Sequence, residues 1–183
     1  MSMPGFRKIL VPIDGSAASQ EAHRLALDLG ATYGAEVILL YVVDSSVLAE
    51  LSRLSGQEQP RLLHDMEESG KRMLTSLSRE AQHRGVMVTL DLRAGMPDEI
   101  IMSEAEQLRV DLIVMGKMGR KGHRRSLLGS VTERVLEAAD LPVLVVSPAP
   151  PSSPATALGL LSSRALSSGR IKNDSRIPEM KLI

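Results

Sequence analysis

Five short apolar runs, separated by stretches of helical periodicity, restrict this chain to one class of fold. Lys8-Ile-Leu-Val-Pro-Ile13 reads as a buried strand. Ala18, Ala22, Leu25, Ala26, Leu29 and Tyr33 then fall at helical spacing, which predicts an amphipathic helix over 17–34 stopped by Gly34. Glu36 to Val43 is a second buried strand, and residues 45–60 read as a surface excursion after it. Leu62, Met66, Met73, Leu77 and Ala81 mark a long helix over about 60–84, closed by Gly85. Val86, Val88, Leu90 and Leu92 alternate strictly, so the third strand has one face less buried than the others.

Pro97 suits a first helical position, with Asp98 and Glu99 in the first turn where the helix dipole favours acids. Ile101, Ala105 and Leu108 continue that helix, and Asp111-Leu-Ile-Val-Met115 is the fourth strand. A loop runs from Gly116 to Gly129. A last helix covers about 130–139, with Val131, Val135 and Ala138 on one face, and Pro142 to Val146 form the fifth strand. Strands alternating with helices in this way imply right-handed crossovers and a mostly parallel α/β sheet. Ligands of such sheets bind beyond the carboxyl ends of the strands, where strand order reverses. That singles out Asp14 and Gly116, at the ends of the first and fourth strands.

With 183 residues, 43% of them apolar, the chain can bury one ordinary core. The absence of cysteine excludes disulfides, thiolate metal sites and cysteine nucleophiles. No apolar run approaches the roughly 18 residues of a membrane helix, and the one following Lys8 is too short for a signal peptide. A cytoplasmic location is expected. Zero formal charge and only three aromatic residues, Phe6, Tyr33 and Tyr41, argue against nucleic-acid or membrane partners. After Ser147 comes the proline-rich break Pro148-Ala-Pro-Pro-Ser-Ser-Pro154. The domain is therefore expected to span 1–147, and 148–183 to be an appended Pro/Ser-rich mobile tail.

The residues that carry chemistry lie at the two strand ends. Asp14, in Ile13-Asp-Gly-Ser16, suits a turn that caps nearby amides. It equally suits a carboxylate facing the crevice, accepting from a ribose hydroxyl or a base amine, and the two roles are compatible. Gly116-Lys-Met-Gly119 is followed after nine residues by Gly129-Ser130 at the start of the last helix. Glycines let backbone N–H groups approach an anion, and a helix amino terminus adds free amides and positive dipole. Between these anchors lie Lys117, Arg120, Lys121, His123, Arg124 and Arg125, with no acid among them. A basic run alone is usually a solvated loop; its position raises it to a neighbour of phosphates. Ser130-Val-Thr-Glu133 is also a capping-box sequence, so Ser130 suits a cap as well as a phosphate.

Other motifs are missing. There is no Walker A sequence, no Gly-x-Gly-x-x-Gly after the first strand and no Gly-x-Ser-x-Gly elbow. His23, His64, His83 and His123 lack metal-ligand spacing, and the first three read as helix-surface positions. The methionines read as core fillers, and Asp111 as the cap of the turn into the fourth strand.

Taken together, these segments resemble the ATP-binding subgroup of the universal stress protein family. The resemblance covers about residues 6–147. It rests on Lys8 to Ser16, Val37 to Asp44, Asp111 to Gly116, Gly129 to Glu133 and Leu141 to Val146. ATP-binding members carry Gly-x2-Gly-x9-Gly-[Ser/Thr], and Gly116, Gly119, Gly129 and Ser130 match it without insertion. The resemblance implies a flavodoxin-like five-stranded sheet of order 3-2-1-4-5. It implies adenine near Pro12, Asp14 and Val42, ribose near Asp14, and Met115 lining the pocket. Phosphates would lie on Gly116, Gly119, Gly129, Ser130 and Val131, with Mg2+ held mainly by the ATP itself. It also implies a homodimer in which the fifth strands, 142–147, pair across a two-fold axis. The sequence places no general base, metal ligand set or arginine finger, so binding is expected over catalysis, with at most slow ATP hydrolysis. The alternative is a non-nucleotide dimeric module of the same fold whose loop 117–125 binds an acidic partner.

Overall fold

The computed structural model describes residues 5–119 and 127–148. Arg120 to Ser126, which hold most of the basic run, and residues 149–183, nearly all of the expected tail, lie outside the described residues. In chain order the elements are β1 (Lys8–Pro12), α1 (Ala17–Tyr33), β2 (Glu36–Asp44), α2 (Ser45–Ser55), α3 (Gln59–His83), β3 (Val88–Gly95), α4 (Pro97–Gln107), β4 (Leu112–Gly116), α5 (Ser130–Ala138) and β5 (Val143–Val146). All strand pairings are parallel and the order is β3-β2-β1-β4-β5, as the resemblance implies.

Strand alternation sends side chains to two half-cores. Ile9, Val11, Ile13, Val37, Leu39, Val43, Leu112 and Val114 pack under α1 and α3 with Ala22, Ala26, Leu27, Leu74 and Ala81. Leu10, Ile38, Leu40, Ile113 and Met115 pack on the other face with Ile101, Ala105 and Val135 of α4 and α5. Each fully buried Ile, Leu or Val side chain contributes roughly 1.5–3 kcal/mol. This double burial is why strands 1, 2 and 4 are apolar without alternation.

Small residues set how closely the helices approach. Ala18, Ala22, Ala26 and Gly30 recur every fourth residue on the buried face of α1. A Cβ on Gly30 would stand 2.8 Å from Val86 Cγ1 and 3.0 Å from Val37 Cγ2, so α1 lies directly on the sheet. Gly70 does the same for α3, where a Cβ would meet the Tyr41 ring at 2.5 Å. Gly34 ends α1 in the left-handed conformation, φ 68°, as its position predicts.

Two expectations change. The excursion 45–60 contains a helix, α2, capped by the Asp44 carboxylate, which accepts from Ser46 N at 2.9 Å. None of its residues is buried, so its apolar stripe is too short and shallow to stand out in the sequence. On β3 the alternating set does not form one continuous buried face. Val86, ahead of the strand, is buried, whereas Leu90 is 42% exposed, because β3 is an edge strand. The opposite side of β3 is tied to α4 by Arg93, whose Nε lies 2.9 Å from the buried Glu104 and 3.1 Å from Asp91.

Candidate functional site

The sheet reverses its strand order at β1, which has β2 on one side and β4 on the other. The crevice therefore opens between the carboxyl ends of β1 and β4. At the first end, Ile13 N donates to Leu40 O at 2.8 Å, extending the strand by one residue. Asp14 follows and its Oδ1 accepts from Ser16 N at 3.0 Å, closing a turn. Gly15 between them has φ +81°, a conformation other residues resist. Ser16 then caps α1, its Oγ accepting from Ser19 N at 3.1 Å. The turn role expected of Asp14 is present. Its other carboxylate oxygen, Oδ2, lies toward the glycine loop, 2.8 Å from where a Cβ on Gly119 would sit.

At the second end, Gly116 pairs with Val146 and Lys117 N donates to Val146 O at 2.7 Å. A Cβ on Gly116 would lie 2.8 Å from Ser19 N and from the carbonyl carbon and Cβ of Ala18, so the first turn of α1 presses directly on it. Gly129 N returns to Lys117 O at 2.9 Å, and a Cβ on Gly129 would stand 3.3 Å from Gly119 N. Gly119 and Gly129 thus meet beside Asp14, while Gly116 packs against the start of α1. None of the three has a positive φ; close approach, not unusual backbone, is what requires glycine here.

Gly129 also occupies the N-cap position of α5, with φ −73° and ψ 149°. This corrects the capping-box expectation. Ser130 is the first helical residue, no side chain caps the helix, and Glu133 N bonds Gly129 O at 2.9 Å. The chain enters the helix one residue earlier than a serine cap requires. The amides of Ser130, Val131 and Thr132 therefore precede the first intrahelical bond and have no acceptor within the helix.

The three residues expected to line the base share the α4–α5 face of the sheet. Val42 and Met115 both pack with the half-core on that face, and Pro12, two residues beyond Leu10, points the same way. Of the basic loop, Lys117 lies at the site; Arg120, Lys121, His123, Arg124 and Arg125 are outside the described residues. Among the described residues, no group of three or more His, Asp or Glu is placed to hold a metal, and no helix is long and apolar enough to cross a membrane.

Thr132 was not anticipated. It is buried, and its Oγ1 donates to Gly116 O at 3.0 Å. The available signal was a hydroxyl residue three positions before Val135 on the apolar face of α5, since buried polar groups take hydrogen-bond partners. His23 corrects another expectation: it is 1% exposed, inside the α1–α3 contact rather than on a surface. Asp111 does more than cap a turn. Its Oδ2 accepts from Arg7 N at 2.8 Å and Lys8 N at 2.9 Å, fastening the start of β1 to β4.

The family model described as the universal stress protein family matches residues 5–147. The chain belongs to the universal stress protein family. A curated relative, universal stress protein MJ0531 of Methanocaldococcus jannaschii, is 39% identical over 141 residues, covering 77% of this chain and 82% of the relative. The structure of MJ0577, from the same organism, is similar with a TM-score of 0.70 at 31% identity, covering 79% of this chain and 98% of that one. A universal stress protein family member from Arabidopsis thaliana, solved with AMP bound, shares the fold at 21% identity and a TM-score of 0.55, covering 81% of this chain and 99% of that one.

Proposed function

We propose that this universal stress protein domain binds ATP at the carboxyl edge of β1 and β4 and acts as a nucleotide-dependent sensor or switch in a stress response. One observation carries the reading. Gly119 and Gly129 leave the backbone of the loop uncovered by any Cβ beside the Asp14 carboxylate, Gly116 lets α1 close on the end of β4, and the first amides of α5 have no acceptor within the helix. Backbone amides and a helix amino terminus suit phosphate oxygens. Gly116, Gly119, Gly129, Ser130 and Val131 would hold the phosphates. Pro12, Val42 and Met115 would line the adenine, with Asp14 reaching base or ribose. The AMP-bound relative is consistent with adenine nucleotides being compatible with this fold.

Any Mg2+ would arrive with the nucleotide, and turnover would be slow at most. We further read the domain as cytoplasmic and as a homodimer through β5, the edge strand whose Leu144 is exposed. Calorimetric titration of ATP into nucleotide-stripped protein tests the binding. Micromolar-range affinity is expected, lost in Gly129→Val, whose side chain would enter the contact with Gly119 N. Equal ATP heats from wild type and Gly129→Val would contradict the assignment of the site.

A further inference from the structure

Gly116 is where three elements of the site meet. Its backbone ends β4, its missing side chain admits the first turn of α1, and its carbonyl accepts from Thr132 Oγ1 at 3.0 Å. Thr132 is 3% exposed and lies in the first turn of α5, the turn whose amides have no intrahelical acceptor. Its first-turn neighbours on the outer side, Ser130 and Glu133, are exposed, so Thr132 is the polar side chain of that turn that faces inward. The contact spans 16 residues of sequence across the glycine loop. It therefore joins the strand end that opens the loop to the helix start that closes it.

We infer that Thr132 is a positioning residue for anion binding: its hydroxyl sets the distance between Gly116 and the free amides of α5, and so holds the phosphate cradle in shape. This inference rests on the nucleotide reading above. The Thr132 hydroxyl need not touch the ligand, because it is committed to the Gly116 carbonyl. Its effect falls on the phosphate portion of a nucleotide and spares the base, whose expected pocket is built from Pro12, Val42 and Met115. A hydrogen bond with a part-buried carbonyl matters most when its donor is removed, since the acceptor then loses that partner and the backbone shifts to find another.

The experiment compares wild type with Thr132→Val, which keeps the branched shape and loses the donor, and Thr132→Ser, which keeps the donor and loses the methyl. ATP and adenosine are titrated into each by ligand-observed NMR and calorimetry, with thermal melting of the ligand-free proteins alongside. Thr132→Val is expected to bind ATP about tenfold more weakly, with adenosine affinity unchanged, and Thr132→Ser is expected to restore ATP binding. Wild-type ATP affinity in Thr132→Val overturns the inference. So does equal loss of ATP and adenosine, which marks a merely structural role. If Thr132→Val does not fold, the ATP-to-adenosine affinity ratio of Thr132→Ser against Thr132→Ala carries the same comparison. Absence of ATP binding by wild type removes the nucleotide reading itself, which is a different result from wild-type binding that Thr132 does not influence.

Discussion

His23 sits between α1 and α3 with its Nδ1 3.7 Å from Glu80 Oε2, and its Nε2 has no hydrogen-bond partner. Burial pushes its pKa down; Glu80 opposes this, and Arg84 and Arg24 reinforce it. Because the folded state disfavours the proton, the unfolded chain binds more of it, and stability rises with pH across that interval. The contribution is full above the ordinary value of 6.5 and is lost as pH falls from there through the lowered folded value. The melting temperature should therefore drop between pH 7.5 and pH 5.5, and His23→Leu should flatten that drop; an unchanged slope would contradict the assignment. Asp111 acts in a separate, more acidic window. Burial raises its pKa, but the Arg7 and Lys8 amides and the charges of those two side chains together hold it below 3.8. Its contribution is present above that value and is lost as pH falls through the depressed one. Neither role was legible in the sequence. His23 lies beside Ala22 on the buried face of α1, and nothing in the sequence states that α3 covers it. Asp111 reaches Arg7 across more than a hundred residues, a contact that exists only once β1 and β4 are neighbours.

Among the elements, α1 shows how a sequence pattern becomes packing. Ala18, Ala22 and Ala26 were legible as part of its helical period, but Gly30 on the same stripe, and the closeness it permits, emerge only against Val37 and Val86. Gly30→Val should destabilise the domain by about 1–3 kcal/mol through overpacking, measured by urea denaturation; an unchanged midpoint would contradict the contact. β5 makes a second prediction. Ile113 N bonds Pro142 O and Lys117 N bonds Val146 O, so alternation turns the N–H and C=O of Val143 and Val145 to the open edge. Proline is tolerated at such outward positions of an edge strand but blocks pairing with another strand. Val145→Pro should therefore leave a folded monomer where wild type sediments as a dimer. A wild type that stays monomeric at high concentration, or a dimeric Val145→Pro, would contradict pairing through β5. The helix α2 shows the limit of periodicity, since a helix that buries nothing leaves little pattern to find.

At the scale of the whole molecule, the parallel α/β class follows from where apolar residues fall, the strand order agrees with what the family resemblance implies, and the glycine spacing singled out the loop after β4. The missing parts were those that depend on two distant segments meeting: Gly129 rather than Ser130 as the cap, Ala18 against Gly116, and Thr132 bonded to the Gly116 carbonyl. A ligand that binds only the folded state stabilises it by mass action. ATP at a hundred times its dissociation constant should add about 2.7 kcal/mol, visible as a raised melting temperature that Gly129→Val abolishes. The central claim is that ATP phosphates rest on this loop and on the start of α5. The most direct test is ATP titration into isotope-labelled, nucleotide-free protein followed by amide NMR. The largest shifts are predicted at Gly116, Gly119, Gly129, Ser130 and Val131; millimolar ATP that moves no amide, or moves chiefly amides elsewhere, would contradict the account.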